Sequence, residues 1–276
     1  MKLATVRVEG GTRAVRVDGD DLVDLGVADL GDFLAQEDWR DVAAAATRVI
    51  GRVSGVEFAP LVARPSKVVC VGLNYATHIT EMGRPLPEYP TLFPKFADTL
   101  IGAGDDIARP AETEEFDWEA ELVVVIGKPV RRATGVEAES AIAGFTVMND
   151  VTCRDWQFRT REWTQGKNWD ATTPIGPVLV TPDDLPGGVR PRLAITTHVD
   201  GELVQDDNTG DLVFDPVHLV EYVSTMIRLN PGDLIATGTP GGVGHARKPP
   251  VYLRVGQEVS CTIEGIGSVT NKVVAG

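Results

Sequence analysis

The chain has 276 residues, 43% of them hydrophobic, which is enough to bury a core without help from disulfides or metal. Its net charge is −14, with 40 acidic residues against 26 basic ones. Nucleic-acid-binding proteins neutralise phosphates with clustered Lys and Arg. The short basic groupings here are Arg131-Arg132 and Arg247-Lys248, so we expect no nucleic-acid partner.

The cysteines and the N-terminus bear on where the protein works. Cys70, Cys153 and Cys261 are far apart and form no Cys-x-x-Cys pair, which argues against a zinc knuckle or a disulfide framework and suits a reducing cytoplasm. Residues 1–8 alternate like a strand, without the apolar region of a signal peptide. No apolar run has the length of a membrane span, so we predict a cytoplasmic protein with no membrane partner.

The first 65 residues differ in pattern from the rest. Residues 4–8 and 14–17 alternate as two strands joined by Gly10-Gly11, and an Ala-rich stretch around 38–49 favours a helix. We predict a small β-rich N-terminal cap domain, residues 1–65, which carries no recognisable chemistry.

Residues 66–276 predict a larger, strand-dominated α+β domain. Its predicted strands are residues 68–71, 119–126, 144–149, 193–199, 201–205, 234–237, 251–255 and 259–263. Its predicted helices are residues 76–82 and a helix that opens at Asp215-Pro216 and ends near Asn230.

Two glutamates mark the start of the most apolar strand. Residues two apart on a strand share a face, roughly 6.5–7 Å apart, so Glu119 and Glu121 project together before the apolar run 122–126. Two such carboxylates repel each other unless a cation or a proton lies between them. The alternative is a solvated strand end, since Glu is usually exposed.

A third carboxylate, Asp150, follows the predicted strand 144–149. If the two strands are neighbours, Asp150 joins Glu119 and Glu121 in an all-oxygen site. Such hard ligands prefer Mg²⁺, Mn²⁺ or Ca²⁺ to zinc and leave positions for water or substrate.

Histidines are rare, with four in the chain. His78 and Glu81 are three residues apart on a predicted helix and therefore share a face. Glu81 could fix the tautomer of His78 and raise its basicity, as a general base requires, although a surface His beside a Glu is common. His245, in the glycine-rich loop, is a further candidate.

Two loops are also candidates for substrate contacts. Lys167 lies in a loop of small and polar residues, where most lysines are solvated. Residues 237–244 could present backbone N–H groups and a hydroxyl to a carboxylate. This stretch is neither a P-loop nor a dinucleotide fingerprint.

Taken in order, these motifs resemble the fumarylacetoacetate hydrolase family. The resemblance covers about residue 67 to the C-terminus. It rests on separated motifs: Gly72-Leu73-Asn74-Tyr75 with His78 and Glu81, Glu119-x-Glu121, Asn149-Asp150 with Arg154 and Gln157, Gly166-Lys167, and Thr237-Gly238-Thr239-Pro240. The chain departs from the commoner pattern after Lys95 and after Lys167, where Phe96 and Asn168-Trp169 stand, which puts the substrate's side chain in doubt.

The resemblance implies a mixed β-sheet roll and a homodimer. It implies Glu119, Glu121 and Asp150 as ligands of Mg²⁺ or Mn²⁺, with Ca²⁺ as a possible substitute. His78, Glu81 and Lys167 would be catalytic: the first two would activate water, and the third would stabilise developing negative charge. Tyr75, Arg154, Gln157 and Thr239 would contact the substrate, a small 2-oxo acid.

The implied chemistry leaves several functions open. The first expectation is a hydrolase that cleaves a C–C bond in a 2,4-dioxo acid of the acylpyruvate type through a metal-stabilised enolate. One alternative is a decarboxylase or isomerase of a related 2-oxo acid, of the oxaloacetate or 2-hydroxymuconate type. Another is a catalytically silent protein that binds metal or organic acid. Fold and metal alone do not choose among them.

Overall fold

The computed structural model describes residues 1–81, 83 and 85–276, and the side chains of His78 and Glu81 also lie outside the described part. Its strands are β1 Lys2–Val8, β2 Gly11–Asp18, β3 Asp21–Asp24, β4 Val49–Arg52, β5 Val68–Gly72, β6 Thr91–Lys95, β7 Leu100–Ile101, β8 Ile107–Arg109, β9 Phe116–Asp117, β10 Ala120–Ile126, β11 Ile142–Asn149, β12 Thr152–Cys153, β13 Thr173–Val180, β14 Ala194–Val199, β15 Glu202–Asn208, β16 Leu234–Ala236, β17 Glu258–Ile263 and β18 Gly267–Ala275.

Helices are few and mostly short. They are α1 Leu30–Leu34, α2 Trp39–Ala45, α3 Ala76–Glu81, α4 Val136–Ala141, α5 Arg154–Gln157, α6 Thr164–Lys167 and α7 Pro216–Met226. In α7, Asp215 is the N-cap and its carboxylate accepts hydrogen bonds from the backbone N–H groups of Val217 and His218. None of the helices in the described ranges combines the length and apolar character needed to cross a membrane.

Strands dominate the architecture, which confirms the predicted mixed-sheet α+β fold. The large sheet has the order β4-β3-β2-β1-β13-β11-β10-β16-β5-β6, with β7 paired to β13. A second sheet has the order β15-β14-β17-β18-β8, and β12 pairs with β9. The N-terminal strands extend the large sheet, because β1 pairs antiparallel with β13 at Lys2 and Val180. The division at residue 65 stays a prediction.

Strand β10 lies in the middle of the core, as its apolar sequence predicts. All seven of its residues are buried, as are all eight of β11. The side chains of β10 alternate between two hydrophobic clusters: Leu122, Val124 and Ile126 pack in one, and Val123 and Val125 in the other. Both faces of the strand are therefore covered by packed side chains.

Two predicted elements differ from the structure. The Ala-rich helix ends at Ala45, because Ala46 is extended (φ −63°, ψ 137°) and β4 begins at Val49. The strand predicted at 251–255 is wrong: Leu253 is buried and donates a hydrogen bond to the Phe116 carbonyl, but this stretch forms no ladder.

The cysteines Cys70, Cys153 and Cys261 are free and buried.

Candidate metal and substrate site

The register of β10 against β11 brings the three predicted carboxylates together. Ala120 pairs with Asn149 across the ladder, and the Asp150 N–H donates to the Glu119 carbonyl at 2.8 Å. Asp150 therefore lies opposite Glu119, on the face that Glu121 shares. The sequence could not show that the two strands are neighbours, and the structure shows that they are.

The three carboxylates form a compact buried cluster. One oxygen from each of Glu119, Glu121 and Asp150 lies within 4.8 Å of the others. Their residues are 7%, 1% and 0% exposed. Oxygen atoms at such separations can share one small cation, so the arrangement is suited to a divalent metal ion.

Two buried lysines neutralise part of this cluster. Lys167 Nζ lies 2.7 Å from Glu119 Oε2 and 2.8 Å from Asp150 Oδ2, and Lys95 Nζ lies 2.7 Å from Asp150 Oδ1. Burial opposes the charge on Lys167, but Asp150 and Glu119 outweigh it and raise the pKa of the ammonium group. Both contacts therefore favour the protonated form of Lys167. The sequence analysis predicted Lys167 for the site. It mentioned Lys95 only because Phe96, which follows it, departs from the commoner family pattern.

Glu121 is the carboxylate with least compensation. In the described part of the chain it forms no salt bridge, and its hydrogen bond comes from the Gly238 N–H at 2.9 Å. Burial, followed by the charges of Asp150 and Glu119, raises the pKa of Glu121 well above its usual range. A buried carboxylate without a counter-cation is costly. The donor set therefore fits a hard divalent cation, which would neutralise the charge that the lysines leave.

A second ion-pair network lies directly behind the cluster. Arg154 contacts Asp117 Oδ2 at 2.8 Å and Glu119 Oε1 at 2.7 Å. Asp117 also accepts hydrogen bonds from the backbone N–H groups of Trp118, Gly244 and His245 at 2.9, 2.7 and 3.0 Å. Asp117 thus ties the glycine-rich loop to a metal-ligand candidate. Sequence reasoning missed it, because an acidic residue before a strand usually faces solvent.

A cavity of about 420 Å³ opens onto the cluster. Its wall includes Glu119, Glu121, Arg154, Gln157, Lys167 and Thr239, all predicted for the site, and this wall also has an apolar part formed by Phe93 and Trp163. Such a concave space with few convergent polar groups is typical of a small-molecule site.

The hydrogen bonds of Gln157 and Thr239 determine what they can offer a ligand. Gln157 Oε1 accepts from Arg154 Nη1 at 3.0 Å, so its amide N–H groups stay available as donors. Thr239 Oγ1 accepts from Gln205 Nε2 at 2.9 Å, so the Thr239 hydroxyl hydrogen is free to point elsewhere. Gln205, on β15, gave no sequence signal because its role depends on a distant contact.

The remaining predicted residues lie elsewhere or outside the described part. Tyr75 is fully buried in the core rather than on the cavity wall, and burial, followed by the charge of Glu121, raises the pKa of its phenol. His78 and Glu81 fall on α3, but their side chains lie outside the described residues. The dyad therefore stays a prediction.

Gly166 sets how closely α6 approaches α5, and so where Lys167 lies. A Cβ there would be 2.5 Å from Gln157 Cβ and 2.6 Å from the Cys153 carbonyl oxygen. We predict that Gly166→Ala costs about 1–3 kcal/mol of unfolding free energy and lowers kcat/KM by up to about a hundredfold, because Lys167 must move. Thermal unfolding and steady-state kinetics measure both effects.

A matched control exists at Gly104, where an added Cβ meets nothing within 4 Å. Gly104→Ala is expected to leave stability and turnover close to wild type. Equal behaviour of the Gly166 and Gly104 variants would show that the close approach of α5 and α6 has no bearing on the site.

The family comparison covers the same part of the chain. The model of the fumarylacetoacetate (FAA) hydrolase C-terminal family matches residues 67–274. Among curated proteins, the mitochondrial oxaloacetate tautomerase FAHD2B of Bos taurus is 48% identical over 223 residues, which is 80% of this chain and 70% of that protein.

Solved structures agree with the fold. A putative HpcE protein from Mycobacterium smegmatis superposes with a TM-score of 0.89 at 34% identity, covering 100% of this chain and 99% of that one. A fumarylpyruvate hydrolase from Pseudomonas aeruginosa, in complex with Mn²⁺ and pyruvate, has a TM-score of 0.68 at 35% identity over 76% of this chain and 90% of that one. Each is a protein to which this chain is similar.

Proposed function

The chain belongs to the fumarylacetoacetate hydrolase family, and from that premise we propose that it interconverts the keto and enol forms of a small 2-oxo acid of the oxaloacetate type. The observation that carries this proposal is the buried cluster of Glu119, Glu121 and Asp150, two of which, Glu119 and Glu121, line the cavity. The likeness to an oxaloacetate tautomerase favours the isomerase alternative over the C–C hydrolase that the sequence analysis put first.

Mg²⁺ or Mn²⁺ is the proposed cofactor, held by Glu119, Glu121 and Asp150. When bound, such an ion supplies Lewis-acid stabilisation of the charge that develops on the substrate's keto oxygen as the C3 proton leaves. The bound Mn²⁺ in the similar fumarylpyruvate hydrolase supports this assignment.

The chain's own side chains supply the rest of the electrostatic environment. Lys167 remains protonated between Glu119 and Asp150 and stabilises negative charge on the substrate from a fixed position. Gln157 and Thr239 offer hydrogen-bond donors from the same wall. Arg154 is held by Asp117 and Glu119, so we assign it to orienting Glu119 and Gln157 rather than to a proton transfer.

His78 and Glu81 are the proposed acid–base pair that moves the C3 proton. In the competing hydrolytic function, the same pair would activate water onto a second carbonyl at C4, and the C3–C4 bond would break. The likeness to a fumarylpyruvate hydrolase supports this hydrolytic function as the second candidate. Both functions share the enolate and differ in whether water attacks.

Three parallel assays separate the candidates. Metal-stripped protein is incubated with oxaloacetate or an acylpyruvate, with and without Mg²⁺, while enol absorbance, pyruvate and CO₂ are followed. We expect Mg²⁺-dependent decay of the oxaloacetate enol signal without matching pyruvate release. Stoichiometric pyruvate from the acylpyruvate would favour hydrolysis, and CO₂ release would favour decarboxylation. Stabilisation by Mg²⁺ and oxalate without turnover would indicate a silent binding protein.

Two further properties stay proposals. We propose a homodimer, which rests on the family resemblance. We also propose a cytoplasmic location, which rests on the cysteine usage, although the similar tautomerase of Bos taurus is mitochondrial. Light scattering, which gives the molar mass in solution, tests the homodimer. Fractionation of the source cells tests the cytoplasmic location.

A further inference from the structure

Two segments, 158–161 and 245–248, begin at residues that line the cavity. Phe158 and His245 both line the cavity, and their ring centroids lie 5.1 Å apart with a 37° interplanar angle. Phe158 is 56% exposed, so this aromatic pair lies at the entrance rather than at the buried carboxylate end. We refer to the two segments together as the rim.

The rim segments are rich in basic residues although the protein is strongly acidic. Its two segments, Phe-Arg-Thr-Arg and His-Ala-Arg-Lys, contain four Arg or Lys residues and no Asp or Glu, in a chain of net charge −14. Arg159 stacks on Trp156 at 3.3 Å, and Arg247 Nη1 lies 3.7 Å from Glu202. Basic side chains close to a cavity favour anionic ligands over neutral ones.

The imidazole of His245 is held by its neighbours. Its Nδ1 lies 3.0 Å from the Tyr252 hydroxyl, and its backbone N–H is bound by Asp117. Burial, followed by the charge and hydrogen bond of Glu115, raises the pKa of Tyr252 to about 12, so Tyr252 keeps its proton. The Tyr252 hydroxyl can donate to Nδ1, and in that tautomer the ring proton lies on Nε2, which can then donate to a carboxylate.

The inner end of the cavity has little capacity for a second carboxylate. The cations there, Lys167, Lys95 and Arg154, are already paired with carboxylates. Asp117 and Arg154 link the backbone N–H of His245 to Glu119, so two side chains connect the start of the 245–248 segment to the cluster. A short dicarboxylic acid bound at the cluster could therefore extend its other end towards His245.

We propose that His245 binds the remote carboxylate of the substrate through Nε2, so that the site selects 2-oxo acids with a second anionic group over uncharged analogues. The inference rests on the proposed tautomerase function and adds its specificity determinant. Tyr252 acts as the positioning residue that orients the imidazole. Phe158 packs against the imidazole, with the ring centroids 5.1 Å apart.

The test compares oxaloacetate with its 4-ethyl monoester, which removes only the remote charge. We expect His245→Ala to lower kcat/KM for oxaloacetate by about tenfold to a hundredfold, mainly through KM, since hydrogen bonds to charged groups are of that strength. The rate with the monoester should be unchanged. His245→Gln, which keeps a donor, should recover part of the loss, and Tyr252→Phe should show a smaller loss of the same kind.

His218→Ala is the matched control. His218 lies on α7, its ring stacks on Phe214 with the centroids 5.3 Å apart, and it does not line the cavity. It should leave both rates at wild type. The rim charges further predict that kcat/KM for oxaloacetate falls more steeply with added NaCl than kcat/KM for the monoester.

Several outcomes would overturn the inference. If His245→Ala lowers kcat/KM equally for oxaloacetate and the monoester, or for neither, His245 does not bind the remote carboxylate. The proposed tautomerase function would still stand. If wild-type protein prefers the monoester, the rim selects against anions. If the metal-loaded protein turns over neither compound, the proposed function fails and the inference fails with it.

Discussion

Glu121→Gln is expected to abolish metal-dependent turnover while leaving the metal-free fold at least as stable as wild type. Glu121 has the Gly238 N–H as its hydrogen-bond donor and lacks a cationic partner among the described residues. Glu121→Gln removes a proposed metal ligand and also a buried carboxyl group that has no salt bridge among the described residues. Since Lewis-acid stabilisation is worth several kcal/mol, we expect a loss of at least about a thousandfold in kcat/KM.

The pH dependence of stability gives this prediction a second readout. Because the folded-state pKa of Glu121 is raised, the protonated form stabilises the metal-free protein below the unfolded-state pKa, about 4.3. That contribution is lost as pH rises towards the folded-state pKa. Glu121→Gln should therefore flatten the decline in stability of the metal-free protein above about pH 4.3.

Glu139→Gln is the matched control for Glu121→Gln, because Glu139 is a half-exposed carboxylate paired with Arg190 at 2.7 Å. It makes the same chemical change away from the site and should leave turnover and the metal-induced shift in Tm intact. Full metal-dependent activity in Glu121→Gln would contradict the assignment of Glu121 as a ligand.

Asp117→Ala is expected to have the largest effect on stability. Asp117 is fully buried and compensates Arg154 while accepting hydrogen bonds from three backbone N–H groups. Removing one partner of a buried ion pair costs about 3–5 kcal/mol, because the other charge stays buried. For a chain of this size we expect Tm to fall by roughly 6–20 °C, as measured by circular dichroism.

The double variant Asp117→Ala with Arg154→Met separates the ion pair from the loop contacts. Removing both charges should recover part of the stability lost in Asp117→Ala. Glu139→Ala, which breaks the half-exposed pair with Arg190, should cost no more than about 1 kcal/mol. Similar losses for Asp117→Ala and Glu139→Ala would mean that the buried network contributes little.

The central strands could be predicted because their local pattern agrees with their environment. The apolar run of β10 is buried on both faces, and two carboxylates at its start share a face by alternation alone. Asp150 could be proposed for the same site, but its place opposite Glu119 depends on the register of β10 and β11. Register is a tertiary property, so the resemblance to a known family supplied what periodicity could not.

Strands β13 and β18 could not be predicted, because each contains residues that are unusual in strands. Strand β13 contains Pro174 and Pro177, and proline argues against an internal strand because it cannot donate to a ladder. Here β13 nonetheless joins β1 to β11 in the large sheet. Strand β18 begins with glycine, and no strand was predicted over its residues. These strands became visible only through their pairing partners.

The missed site residues share one physical reason. Lys95, Asp117 and Gln205 contact Asp150, Arg154 and Thr239 respectively. Each contact is between side chains far apart in sequence, so no local pattern marks it. An isolated lysine, aspartate or glutamine has the appearance of a surface residue. Only the folded chain shows that these three are buried.

The most direct test of the site is an anomalous diffraction measurement on crystals soaked with Mn²⁺ and oxalate, a mimic of the enolised acid. We predict one strong peak bonded to carboxylate oxygens of Glu119, Glu121 and Asp150, with oxalate completing its coordination inside the cavity. A crystal that binds Mn²⁺ elsewhere, or leaves these three carboxylates without a peak at saturating metal, would contradict the proposed chemistry.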